Sequence, residues 1–523
     1  MKENNYSYIM PKGARTSFLQ NTQVSKPILT LTAGLALIYF IVITFAFKMG
    51  NPILFWLLIA GEIFHSWMVF TYLWTVWDTE YIHPVADTSF KIPVDVFITV
   101  AGEPVDIVRE TVQGAKNMRY DGSSFTVHIL NDGFVAKKDN WKDIEALAKE
   151  EGVECITRTE AGGAKAGNIN NAVSKTKNPL VVILDADHIP HPDFLEKTIP
   201  HFADTRVGFV QTPQFYKNAG LNYVTQSSWN QQELFFGPIC KGKNRLNSAT
   251  MCGTNMVIRR EALVQAGGVQ YSIAEDFLTG LMIHARGWKS VYVPEVLAEG
   301  LAPEDYLSYY KQQFRWARGA FDMILGNNTI FKRGITFKQR LQYLSSVSFY
   351  LSGLVVLMNA AIPLVFFFTG IVPFQISTMT LAVVFLPYIF MTLYTLQLSS
   401  NFSFTFSSLA FSMGSFMIHI EAFLAGITFQ KSTFSVTSKR KVDGNFLSLV
   451  IPHFIYIALV FAGITFALYR EGLTASVITN SAWALLNVAI FIPTISAALP
   501  NSAFSKKLDS LAPINKRYGT IRA

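Results

Sequence analysis

The sequence predicts an α/β domain inserted into a polytopic α-helical membrane protein. Three observations carry that expectation. Half of the 523 residues are apolar and only 15% are charged, against roughly 25% charged in soluble domains. Long uncharged runs, each near the ~20 residues a bilayer crossing needs, occupy both ends of the chain. Between them, across residues 89–325, short β-rich apolar runs alternate with helical stretches. The net charge is +8. Its Lys and Arg cluster beside the apolar runs, which suits the headgroups of a lipid bilayer and argues against nucleic acid as a partner.

The elements follow in chain order. Residues 1–27 form a polar tail expected in the cytosol, and no cleavable signal peptide is expected because the first apolar run ends in Lys48. Residues 28–77 hold two predicted spans, 28–47 and 52–77. The second carries Glu62, and its Trp67, Trp74 and Trp77 suit an interfacial belt. Within 89–325 the runs VDVFITV (94–100), FTVHILND (125–132), VECITRT (153–159), LVVILDADH (180–188), VGFVQTPQ (207–214) and WKSVYVPE (288–295) read as strands. Continuous apolar strands separated by helices predict a buried, mostly parallel sheet. Residues 343–398 are uncharged and broken near Gly370 and Pro373, which predicts two more spans. Residues 402–429 are apolar enough to cross, but a crossing there would put Lys431, Lys439, Arg440 and Lys441 outside. The positive-inside tendency therefore favours an interfacial helix with His419 and Glu421 on its polar side. A basic loop, 430–445, precedes a final pair of spans in 446–502, and residues 503–523 are a second cytosolic tail. About six transmembrane helices plus interfacial helices result. The three cysteines, Cys155, Cys240 and Cys252, match no zinc spacing and read as reduced thiols.

Several strands end in acids. ILDADH (183–188) ends in Asp185 and Asp187, which strand alternation would put on one face. Oxygen ligands there suit Mg²⁺ or Mn²⁺ bridging a diphosphate; a polar loop is the bland alternative. Asp132 follows a second strand and Glu103 a third. Open α/β sheets bind ligands beyond such strand ends, so one crevice is expected. GGAKAGNINNAV (162–173) adds Lys165 at a small-residue turn opening a helix, either a phosphate contact or a solvated charge. In AEDFLTG (274–280), Asp276 is a first-turn helix acid or a general base. QQFRWARG (312–319) places Gln312, Arg315 and Trp316 on one helical face. Arg offers a diphosphate a fork of donors, and Trp offers a sugar a flat ring; an interfacial basic-aromatic helix is the alternative.

Taken in order, Asp132, Asp185-x-Asp187, Glu275-Asp276 and Gln312-x-x-Arg315-Trp316 resemble the processive inverting family 2 glycosyltransferases of the bacterial cellulose synthase type. MCGTNMVIRR (251–260) looks like that family's acceptor-side segment, and FSVTSK (434–439) is similar to its gating loop. The resemblance implies a GT-A fold for 89–325. It implies that Glu103, Asp132 and Lys165 bind the nucleotide sugar, and that Asp185 and Asp187 hold the diphosphate and metal with His188 beside them. It makes Asp276 the catalytic base, sets Gln312 and Arg315 on the diphosphate, and places Cys252, Glu275 and Trp316 near the acceptor. Phe434, Val436 and Thr437 would close over the nucleotide. The implied activity is a UDP-glucose-dependent β-glucan synthase in the plasma membrane, with its catalytic domain cytosolic. Its implied partners are the growing β-glucan chain and cell-envelope export subunits. A hyaluronan- or chitin-type synthase and a lipid-linked monosaccharide transferase remain the alternatives, and both β-1,4 and mixed β-1,3/1,4 linkages stay open. Ala274 stands where many relatives have Thr. The short stretch after the last predicted span leaves no expectation of a cyclic-di-GMP-binding domain.

Overall fold

The structure is a computed structural model and describes residues 19–46, 48–326, 331–375, 377–428 and 440–500. Two apolar helices open it, α1 (Lys26–Phe45) and α2 (Pro52–Thr75), each with proline in its first turn where no backbone donor is lost. The α/β domain then builds a seven-stranded sheet from β1 (Val94–Val100), β2 (Phe125–Asn131), β3 (Glu154–Thr157), β4 (Leu180–Asp185), β5 (Val207–Gln211), β6 (Met256–Arg259) and β7 (Lys289–Tyr292). Strand order is β7-β5-β6-β4-β1-β2-β3. The pairs β4-β1, β1-β2, β2-β3 and β7-β5 are parallel, while β6 runs antiparallel to both neighbours. The expected mostly parallel sheet is present, with one antiparallel strand inserted. That strand, MVIR, was not foreseen: its apolar run is too short to carry a period.

Every residue of β1 is buried, because both faces of the sheet are covered. Phe97, Val181 and Ile183 face one apolar cluster; Val96, Ile98, Val182 and Leu184 face the other. Asp95 in this strand is 3% exposed and is balanced by Arg260 at 2.7 Å and Asn178 at 2.8 Å. Burial on both sides fixes the strand ends, and with them the loops that carry the candidate residues. One strand-based expectation is corrected. Strand β4 stops at Asp185, so Asp185 and Asp187 are not strand neighbours on one face. A turn closed by His188 N–H on Asp185 O at 3.1 Å delivers Asp187 and His188 instead.

Three shorter helices of this domain bear on the site: α3 (Ala164–Lys175), α4 (Cys240–Arg245) and α5 (Glu275–Ala285). Then come α6 (Tyr306–Leu325), which carries QQFRWARG, and α7 (Phe337–Ser348), closed at its start by a Thr336–Gln339 capping box. Helices α8 (Ser352–Thr369), α9 (Thr378–Ser399), α10 (Phe406–Gly414), α11 (Phe416–Ile427), α12 (Ile451–Glu471) and α13 (Ala475–Ala498) complete the chain. Length and composition mark seven helical units among the described residues as able to cross a membrane. One of them, Phe406–Ile427, is the stretch expected as a single interfacial helix; it is two helices that meet at Ser415.

Helix α7 links the α/β domain to α2: its Tyr343 and Val347 join the domain's apolar cluster, and its polar side chains meet α2. Gln342 of α7 donates to Thr75 at 2.8 Å, Ser345 to Thr71 at 3.2 Å, and Trp67 to Ser348 at 3.0 Å, a ladder down α2. Helix α4 closes on the end of α2 so tightly that a Cβ on Gly242 would lie 2.0 Å from the Thr75 carbonyl oxygen. Gly242→Ala is therefore expected to force the two apart, at a cost of ~1–3 kcal/mol. The thermal midpoint of the detergent-purified protein should fall; an unchanged midpoint would show the contact to be slack.

Candidate active site

The C-terminal ends of β1, β2 and β4 and the loop entering β6 open onto one cavity of ≈ 950 Å³. Glu103, Asp132, Lys165, Asp185, Asp187, His188, Cys252, Glu275, Asp276, Gln312, Arg315 and Trp316 all line it. Phe434, Val436 and Thr437 lie outside the described residues. Directly after them, Arg440 donates to Asp106 at 3.0 Å, and the Val442 N–H donates to Asp305, the N-cap of α6, at 3.0 Å. The cavity continues past Met68, Tyr72 and Thr75 of α2, and past Tyr350 and His419.

Lys165 sits at the centre. Its turn uses left-handed backbone at Gly163 (φ 69°) and Ala164 (φ 43°), and a Cβ on Gly163 would strike the Tyr271 ring. The ammonium donates to Asp185 Oδ1 and to the Gly253 carbonyl at 2.9 Å. Gly253, with φ 80°, passes so close that a Cβ there would be 3.0 Å from Asp276 Oδ2 and 3.5 Å from Lys165 Nζ. Burial works against the Lys165 charge, yet Asp185, Glu275 and Asp276 together hold its pKa above the ordinary value.

Asp185, Asp187 and His188 form a group whose ligand atoms lie within 4.8 Å of one another. Thr99 donates to Asp185 at 3.3 Å, and the Leu301 N–H donates to Asp187 Oδ2 at 3.3 Å. His188 is 4% exposed, and its two ring nitrogens have no hydrogen-bond partner among the described residues. Nδ1 lies 3.4 Å from Asp187 Oδ1. Gly300 makes room for that ring, since a Cβ would come within 2.4–2.7 Å of it. Two carboxylates and a buried imidazole without a bonded partner fit a divalent cation that keeps open positions.

Glu275 and Asp276 occupy the first turn of α5, and Asp276 Oδ1 accepts the Phe277 N–H at 2.7 Å. Burial raises both pKa values. The Asp276 charge adds to the effect on Glu275, which is pushed up to about 7, while Lys165 and Arg315 pull the other way. Helix α6 is held against this turn, because a Cβ on Gly319 would be 2.7 Å from the Ala274 Cβ. The small side chain at 274 thus sits under the helix that carries Gln312, Arg315 and Trp316.

Sequence reasoning missed Arg158. Its guanidinium grips Asp132 with two bonds of 2.6 Å and also holds the carbonyls of Gly162 and Ala164. Asp132 and the Lys165 turn are thereby tied together, and Gly167 leaves the space that the guanidinium fills. Tyr216, 2% exposed, was also missed; its hydroxyl bonds with Gln312, and burial raises its pKa. A lone Arg after a strand and a Tyr in a short strand give no local signal.

Two family models match the chain: one described as glycosyltransferase-like family 2, over residues 93–319, and one described as cellulose synthase, over residues 264–411. The cellulose synthase catalytic subunit (UDP-forming) of Komagataeibacter sucrofermentans is 29% identical over 471 residues, covering 84% of this chain and 61% of the relative. The corresponding subunit of Xanthomonas axonopodis pv. citri is 35% identical over 274 residues, covering 51% of this chain and 37% of the relative. The chain thus spans less than two thirds of the length of these curated relatives. Among solved structures, a mannosyltransferase from Pyrobaculum calidifontis in complex with GDP-Man and Mn²⁺ superposes with a TM-score of 0.51 at 16% identity. The match covers 71% of this chain and 99% of that one, and it shows the shared GT-A fold of the α/β domain. With the acidic group at 185–188 in that fold, and with both models meeting across the helix that bears Gln312, Arg315 and Trp316, the chain belongs to the family 2 glycosyltransferases of the bacterial cellulose synthase catalytic-subunit type.

Proposed function

We propose that the chain is a processive inverting glycosyltransferase that polymerises glucose from UDP-glucose into a β-glucan and passes it through the plasma membrane. One observation carries this reading: the acidic group, the Glu275–Asp276 turn and the Trp316 helix share a single cavity that runs on between membrane helices. A monosaccharide transferase has no need of that continuation.

Asp185, Asp187 and His188 would hold Mg²⁺ or Mn²⁺, and a bound divalent ion supplies charge stabilisation for a departing diphosphate. Glu103, Asp132 and Lys165 lie on the nucleotide side of the crevice, and Gln312 and Arg315 offer donors to the diphosphate. Asp276 takes the proton from the acceptor hydroxyl. The hydroxyl oxygen bonds to C1 as the bond from C1 to the UDP oxygen breaks, and one displacement turns the α-linked donor into a β-linked product. Trp316 presents its ring to the terminal acceptor sugar, with Cys252 and Glu275 nearby.

The membrane arrangement favours a cytosolic catalytic domain. In Phe406–Ile427 the protein buries 56% of the apolar window, against 11–28% in the other six candidate spans. Its two helices, of 9 and 12 residues, are each shorter than a crossing of ~20. Glu421 accepts the Tyr310 hydroxyl of α6, the helix that bears Trp316. We therefore assign this pair to the cytosolic face, which leaves six spans and keeps the basic clusters on one side.

Three outcomes test the proposal. Asp276→Asn should lower UDP release from UDP-glucose by at least about a hundredfold while retaining UDP binding; substantial turnover would remove Asp276 as the base. Trp316→Ala should depress polymer formation more than UDP-glucose hydrolysis, and equal losses would count against an acceptor role. The pH profile of kcat/KM should rise on its acid side through about 7, where Glu275 loses its proton beside Asp276. Glu275→Gln should move that limb to lower pH, because the carboxyl that titrates at about 7 is gone. Radiolabelled UDP-glucose with digestion by linkage-specific glucanases identifies the product as β-1,4 or mixed β-1,3/1,4.

A further inference from the structure

Helix α4 contains two lysines with different surroundings. Lys241 reaches outward to the Leu19 carbonyl at 2.9 Å and Thr22 at 2.8 Å, and so pins the segment that precedes α1. Lys243 is 3% exposed and lines the cavity. Its ammonium donates to Thr250 Oγ1 at 3.0 Å and to the Ser346 hydroxyl of α7. Among the described residues no carboxylate forms an ion pair with it, and burial holds its pKa below the usual lysine range. An ammonium has three N–H donors, and these two hydroxyls take two. A buried cation without a counterion is costly unless its hydrogen bonding is completed.

The surrounding cavity wall is neutral and rich in hydroxyl and amide groups. Gln342, Ser346 and Thr75 line it beside Tyr72, at the point where the α/β domain meets α2. Thr250 and Gly253 belong to one short loop, and Gly253 touches both Lys165 and the Asp276 side. Three residues of extended chain span at most about 10 Å, so Thr250 and the lysine bonded to it lie near the Asp276 side of the cavity, whose wall also includes Ser346 of α7 and Thr75 of α2.

We propose that Lys243, with Ser346 and Gln342 beside it, forms an acceptor subsite that donates a hydrogen bond to a hydroxyl or ring oxygen of the chain behind its reacting sugar. This rests on the β-glucan reading above. A neutral hydroxylated chain matches the wall, and its oxygens complete the lysine's bonding without requiring an anion.

The test uses cellotetraose as the probe, titrated calorimetrically into the full chain in lipid nanodiscs with UDP and Mg²⁺ present. Lys243→Met should weaken cellotetraose binding about ten- to hundredfold, the range for one hydrogen bond from a charged donor. UDP affinity and the thermal midpoint should stay unchanged. Equal cellotetraose affinity in wild type and variant overturns the subsite. So does a matching loss of UDP affinity, which marks Lys243 as only a tie between α4 and α7. A wild type that binds UDP but not cellotetraose sinks the β-glucan reading and the subsite with it, a result distinct from the first. Should Lys243→Met fail to fold, Ser346→Ala removes one partner of the ammonium and keeps the charge; weaker cellotetraose binding at constant UDP affinity supports the subsite, and no change overturns it.

Discussion

The Lys165 ammonium has to balance a crevice in which Asp185, Asp187, Glu275 and Asp276 line one cavity. Carboxylates gathered in a poorly solvated space repel one another and shed charge by taking up protons. Lys165 opposes that by bonding Asp185 and the Gly253 carbonyl at once, with Asp276 close behind Gly253. The backbone reaches this placement through positive φ, which is strained only at the non-glycine Ala164. Gly162, Gly163 and Ala164 all have positive φ, and so does Gly253 opposite them. Strain of this kind persists where surrounding contacts over-determine it, and Arg158 supplies such contacts by holding the carbonyls on both sides of Gly163.

A second constraint sets how the site meets the membrane helices. The α/β domain buries both faces of its sheet, one of them partly against Tyr343 and Val347 of α7. Between α7 and α2 the seam is a ladder of Gln, Ser and Thr contacts, closed at one end by the Gly242 approach. A polar seam costs little when lined by hydroxylated ligand or water, whereas an apolar seam would seal. The continuation of the cavity past Thr75 and Tyr72 follows from that chemistry.

Legibility in the sequence tracked how local the physical cause was. Strands such as VDVFITV were readable because two-sided burial leaves an unbroken apolar run. The Trp316 helix was readable because Gln312, Arg315 and Trp316 share a face at helical spacing. Strand β6 was hidden because its four residues owe their conformation to the strands on either side. Asp185 and Asp187 were rightly paired for the wrong geometric reason, since a turn rather than strand pleat brings them together. Arg158 and Lys243 each bond one partner distant in the chain, Asp132 and Ser346 respectively. In sequence each is one more basic residue, and only the fold shows that each is buried.

The same balance of charges bears on how a carboxylate serves as base in the proposed mechanism. Asp276 sits in the first turn of α5, where the helix dipole favours its charged form and lowers its basicity. Burial pushes in the other direction. A base too weak leaves the sugar hydroxyl protonated, and one too strong is already protonated at neutral pH. Lys165 and Arg315 keep the rise in check, and Asp276 remains more basic than an exposed aspartate. When a diphosphate engages Arg315 and Lys165, part of that positive field is drawn to the phosphates. The carboxylate then becomes more basic with the donor in place than without it, which ties proton removal to occupancy of the nucleotide-sugar site.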